Sequence, residues 1–204
     1  MADDSVDGSG NFINSPSTWF DRVQAHDAHA WQLFVRLYGP LIYHWFRQYG
    51  VEPAAAADLG QKVFAAVLET IAEFCQDDRG DFRAWLRAIT QKMISDYIDE
   101  HTRLYVADGT ADNPWVNNTI NLQGASTPDP KEERILYQRA IELVLADYSE
   151  QTRIVFQRLV LNREDPAVVA ASVGLTVNAV CLMKSQILHR LRTEFAGLLD
   201  TNPD

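Results

Sequence analysis

The chain holds 204 residues, which at roughly 100–200 residues per domain allows one or two domains. Its apolar fraction of 47% and charged fraction of 23% are ordinary globular values and exclude wholesale disorder. The formal net charge of −10 argues against a chain that coats nucleic acid with Lys and Arg over its whole surface.

Other classes fall away as quickly. No stretch approaches the ~20 apolar residues of a membrane span, and the polar start MADDSVDGSG has no signal-peptide core. Cys75 and Cys181 are too far apart for a disulfide framework or a zinc knuckle, so a reducing, cytoplasmic setting is expected. The charge is also unevenly placed. Residues 1–15 and 104–130 each hold three acids and no base, while residues 82–95 and 166–193 hold three bases each and no acid.

In chain order, nearly every long segment reads as helix. Ser17-Thr18 offers an N-cap before Trp19, Phe20 and Val23. Asp27 opens a second run with Trp31, Phe34, Val35 and Tyr38 at helical spacing. Gly39-Pro40 is expected to interrupt that run, which resumes with Leu41, Ile42, Trp45, Phe46 and Tyr49. Pro53 suits a first helical residue and opens a helix to about residue 75, with Leu59, Val63, Phe64, Val67, Leu68 and Ile71 as its apolar stripe. After the polar turn 76–80, Asp81 caps a helix striped by Phe82, Trp85, Leu86, Ile89, Met93 and Tyr97.

The segment 104–130 breaks the pattern with Gly109, Asn113-Pro114, Gly124 and Pro128-Asp129-Pro130. A structureless stretch of that length inside one compact domain is unusual, so it reads as a flexible linker. The expected organisation is therefore all-α: a disordered acidic tail (1–15), a helical bundle (16–103), a linker (104–130) and a second helical domain (131–200). In the second domain Lys131 restarts a helix and Ser149 caps the next. Asp165-Pro166 opens a helix of about eight residues, Gly174 turns the chain, and Thr176 caps a last helix reaching about Leu199.

No catalytic constellation is present, and neither an enzymatic activity nor a cofactor is expected. The chain has no phosphate-cradling glycine loop, no His-Glu-x-x-His helix and no glycine-flanked nucleophilic serine. His26 and His29 are two potential metal ligands without a third, and read as surface residues near a helix start.

The strongest local signal lies at 166–191. A DNA-binding helix-turn-helix needs a small residue at the helix crossing, a glycine in the turn, and apolar residues gripping the second helix. Ala170 and Gly174 supply the first two, and Val169, Val173, Leu175, Val180 and Met183 the third. With Val180, Met183, Ile187 and Leu191 buried, the outer face carries Asn178, Cys181, Leu182, Ser185, Gln186 and His189, flanked by Lys184 and Arg190. Asn, Gln and Ser suit base edges, and Lys and Arg suit phosphates. The aromatic and basic run Phe82-Arg83-Ala84-Trp85-Leu86 fits either core packing or a base-stacking surface.

Together these segments resemble the extracytoplasmic-function (ECF) group of the sigma-70 family of RNA polymerase sigma factors. Asp58-Leu59-Gly60-Gln61-Lys62-Val63-Phe64 looks like the family's Asp-Leu-x-Gln-Glu-Val-Phe segment, with Lys62 in place of Glu. Phe82–Leu86 is similar to the opening of the helix that contacts the −10 promoter element. Residues 165–193 look like the C-terminal helix-turn-helix that binds the −35 element. Where the family usually carries a basic run, residues 96–101 read Asp-Tyr-Ile-Asp-Glu-His.

The resemblance implies a non-catalytic factor that binds core RNA polymerase and promoter DNA, with an anti-sigma factor as a further candidate partner. It assigns Asp58, Leu59, Gln61 and Phe64 to polymerase docking, and Arg83, Arg87, Lys92 and Asp96 to the −10 element. It assigns the surroundings of Thr176 and the outer face from Asn178 to Arg190 to the −35 element. Two rival readings are a helix-turn-helix regulator with an N-terminal partner-binding domain, and an interaction module without DNA binding. Asp58–Phe64 and Phe82–Leu86 discriminate, because a plain regulator has no reason to carry them.

Overall fold

The computed structural model describes residues 19–25, 27–76, 82–107, 129–196 and 198–199. The tail 1–15, the proposed caps Ser17-Thr18 and Asp81, His26, and most of the expected linker (108–128) lie outside the described residues. The fold is all-α. The elements are α1 (Trp19–Gln24), α2 (Ala28–Gln48), α3 (Pro53–Gln76), α4 (Phe82–Ala107), α5 (Pro130–Leu145), α6 (Glu150–Phe156), α7 (Pro166–Val173) and α8 (Val177–Glu194). No β-strand occurs among the described residues; an isolated bridge joins Ala196 and Leu199.

Helix starts follow the short-range chemistry. Asp27 caps α2 by accepting from the His29 and Ala30 amides, and Arg22 pairs with the same carboxylate at 2.7 Å. That guanidinium holds the Asp27 carboxyl below its ordinary pKa. Asp129, Ser149, Asp165 and Thr176 cap α5, α6, α7 and α8 in the same way.

The expected interruption at Gly39-Pro40 is not there: α2 runs unbroken through Pro40. Proline in a helix forfeits one N–H, the one that would reach the carbonyl four residues back. Here that is the Arg36 carbonyl, which instead accepts from Arg139 Nε of α5 at 3.0 Å. The neighbours Leu37, Tyr38, Leu41 and Ile42 are fully buried, so packing on both sides outweighs the local penalty.

α1 to α4 enclose an aromatic core centred on Phe34. Its ring meets Phe64 edge-on at 5.5 Å and Phe82 at 5.8 Å, and lies 4.9 Å from Trp19. Phe82 also packs on Tyr38 and Phe74, and Phe74 on Trp85 at 4.8 Å. Each such pair contributes about 0.5–1.5 kcal/mol beyond area burial. Phe82 and Trp85 therefore pack in the core and do not form an open stacking surface. Leu68 departs from its expected stripe and is 52% exposed.

The second half docks on the first. α5 lies along α2 with Leu136, Ala140, Leu143 and Val144 buried, and the hydrophobic core runs from α1–α4 through α5 to Ile187 of α8. α8 stops at Glu194, short of the expected Leu199. The chain then turns so that Phe195, Leu198 and Leu199 are buried, and Tyr38 Oη donates to the Leu198 carbonyl at 2.6 Å. Apolar side chains beyond the helix thus gain more from burial in the main core than from another helical turn.

α6, α7 and α8 enclose a smaller core of Val155, Leu159, Val169, Ala170 and Val180. After α6 the chain widens into a π turn (Gln157–Leu161), not anticipated from sequence, and Arg158 ties it to Glu164 and Ser172. α7 and α8 are bent by 105°, within the range of a helix-turn-helix. Gly174 makes the turn at φ 69°, and a Cβ placed there would meet nothing within 4 Å. Substitution should therefore cost backbone strain alone. Gly174→Ala is expected to lower unfolding stability by about 1–2 kcal/mol, and Gly174→Asn by less, because Asn tolerates the left-handed region. Denaturant unfolding of the two variants checks the order; equal costs would mean the strain is not in the backbone.

Candidate nucleic-acid interface

The outer face of α8 matches its sequence reading. Val180 and Ile187 are buried, Met183 and Leu191 half-buried, and Asn178, Cys181, Leu182, Ser185, Gln186 and His189 exposed. Leu182 is 59% exposed, an apolar side chain held out beside polar ones that can contact base edges. Cys181 is a free thiol on the same face. Thr176 is committed differently: its hydroxyl accepts from the Ala179 amide at 3.2 Å and so sets the start of the helix.

The two flanking bases part company. Lys184 is half-buried beside the exposed face. Arg190 is engaged inside the protein, paired with Asp147 of the turn after α5 and with Glu194 at 2.5 Å, its guanidinium over the Tyr148 ring. Both carboxylates hold its pKa above the ordinary value. Arg190 thus fastens α8 to the α5–α6 turn, and a phosphate would have to displace two acids to reach it. Arg192, exposed and outside the expected set, is the further base near this end of the helix.

On α3, Asp58 and Gln61 are exposed, as a docking surface requires. Leu59 is 9% exposed and belongs to the core, as does Phe64, whose ring meets Trp31 and Phe34. Phe64 packs inward, whereas the edge of Leu59 reaches the groove beside Asp58. Asp58 and Lys62 line a groove of about 440 Å³ with Asp96, Tyr97, Glu100 and His101 of α4. A residue expected to dock polymerase and one expected near the −10 DNA therefore share one surface.

The four residues expected near the −10 DNA do not form one set. At 3.6 residues per turn Arg83 and Arg87 lie half a turn from Lys92 and Asp96. Lys92 and Asp96 are exposed and Arg83 is half-buried. Arg87 is drawn inward: its guanidinium pairs with Glu132 of α5 and sits 5.2 Å from the centre of the Trp45 ring. Trp45 Nε1 donates to the same Glu132 oxygen at 2.8 Å, and Glu132 is only 3% exposed.

The sequence reading gives Glu132 and Arg139 no role and places Trp45 only in an apolar stripe. Glu132 was legible, because 132, 136, 140, 143 and 144 form one helical stripe whose other members are apolar. No group of three or more possible metal ligands occurs among the described residues. No single described helix is long and apolar enough to cross a membrane.

Residues 34–104 match the family model for Sigma-70 region 2. The match covers most of α2, all of α3 and most of α4, and likens this part of the chain to region 2 of sigma-70 proteins. No curated protein matches the sequence.

Proposed function

We propose that the protein is a sigma factor of the ECF type, a non-catalytic subunit that binds core RNA polymerase and directs it to promoters. The observation that carries this reading is the co-occurrence, on one chain, of the region 2 match over 34–104 and a helix pair bent by 105° whose second member has an outer face free of acids. In this reading Asp58 and Gln61 present the polar docking surface on α3. Exposed α4 residues, Lys92 and Asp96 among them, approach the −10 element. Asn178, Ser185 and Gln186 read base edges of the −35 element, Leu182 packs on a thymine methyl, and Lys184 with Arg192 meets phosphates. Arg190 holds the helix in place.

Two experiments test the two surfaces separately. Replacing Asp58 and Gln61 together by alanine should weaken binding to purified core polymerase at least several-fold. Stability should change by less than ~0.5 kcal/mol, because both side chains are exposed. Unchanged affinity for core would remove this docking surface.

On a randomised −35 library, Gln186→Ala in the holoenzyme should alter preference at one or two positions, by about 1–3 kcal/mol at the contacted pair. Lys184→Ala should weaken all sequences alike and flatten the salt dependence. An unaltered −35 preference in Gln186→Ala would show that this face does not read sequence.

A further inference from the structure

The halves of the chain are joined by a charged contact that the proposed function does not use. Glu132 stands in the first turn of α5, where the helix dipole favours a carboxylate, yet it is directed away from solvent against α2 and α4. One of its oxygens takes the Trp45 indole N–H and the Arg87 guanidinium together. Around it, Arg139 takes the carbonyl that Pro40 leaves unpaired, and Tyr38 holds the Leu198 carbonyl. An acid at that depth is costly unless it is paired, so this contact defines one register of α5 on the first four helices.

Arg87 belongs to the acid-free window of residues 82–95, the stretch of α4 best suited by charge to meet a polyanion. In this structure its charge is already answered from within. The geometry points to Glu132 as an internal stand-in for a nucleic-acid phosphate: it occupies Arg87 and keeps α5 closed over α2 until DNA displaces it. This inference rests on the sigma-factor reading and adds regulation to it. The free chain is closed and binds DNA poorly. Engagement of DNA and closure of α5 are alternatives, because the guanidinium that answers one anion is withdrawn from the other.

The test uses the full chain and a fluorescein-labelled 20-nucleotide single strand as probe, read by anisotropy at low salt. Glu132→Gln should raise affinity at least five-fold over the unaltered chain. Glu133→Gln makes the same change of charge at the exposed neighbouring position, and should change affinity by less than two-fold. Adding Arg87→Gln to Glu132→Gln should abolish the gain.

Loss of the pair could also loosen the fold, so Trp45→Phe serves as a second variant. It removes one N–H donor to Glu132, keeps the aromatic ring, and should give a smaller gain with unchanged far-UV circular dichroism. Equal affinities for Glu132→Gln and the unaltered chain, absence of binding by both, or equal gains in Glu132→Gln and Glu133→Gln each overturn the stand-in role. Promoter binding by the unaltered holoenzyme is measured alongside. Where it is retained, a failed latch test leaves the sigma reading standing; where it is absent, the sigma reading fails.

Discussion

One buried carboxylate organises the join between the two halves of this protein. Burying a charge costs several kcal/mol unless it is paired and hydrogen-bonded. Glu132 meets that cost with an indole N–H and a guanidinium that come from two different helices, α2 and α4. The requirement is geometric. α5 can rest on α2 only in the register that brings Glu132 to Trp45 and Arg87. In that register Leu136, Ala140, Leu143 and Val144 fall into the apolar seam, and Arg139 reaches the Arg36 carbonyl. A single polar constraint thereby selects among the apolar packings that α5 could otherwise adopt. Every buried side-chain polar atom among the described residues has a partner.

Helix α2 is the element on which this depends. It offers Phe34 and Leu37 to the aromatic core and Trp45 to Glu132. Pro40 is placed mid-helix where it frees a carbonyl for the second half to use. The bent pair α7–α8 is built on a separate small core, connected through α5, the Arg190 pairings and the turn after α8. The outer face of α8 therefore rests on its own small core, while its position relative to the first helices is set by these longer-range contacts.

Short-range chemistry was legible in the sequence and long-range chemistry was not. The caps Asp27, Ser149, Asp165 and Thr176, the left-handed Gly174 and the outward face of α8 each depend on residues a few positions apart. Pro40 misleads because the carbonyl it leaves unpaired, that of Arg36, finds its partner in Arg139, 103 residues further along the chain. α8 ends earlier than its pattern suggests because Phe195, Leu198 and Leu199 are buried beyond it and Tyr38 of α2 holds the Leu198 carbonyl, which no local pattern reveals. Leu59 and Phe64 belong to the docking set by resemblance alone; helical spacing places both on the apolar stripe of α3, and Leu59 also lines the groove beside Asp58. Sequence alone makes Arg190 a phosphate ligand, because its partner Asp147 lies 43 residues earlier. Glu132 was different, since the stripe it interrupts is visible in five residues of α5.

The central claim is that Glu132 and Arg87 act on one another across the two halves, and a double-mutant cycle measures that directly. Urea unfolding of the full chain, followed by far-UV circular dichroism, is compared for the unaltered protein, Arg87→Met, Glu132→Gln and the pair. Each single change leaves a buried polar group without its partner, whereas the double change removes both charges. The two costs should therefore fall short of additivity by at least about 1 kcal/mol. Additivity within ~0.3–0.5 kcal/mol would show that the two groups do not interact, and would contradict the account.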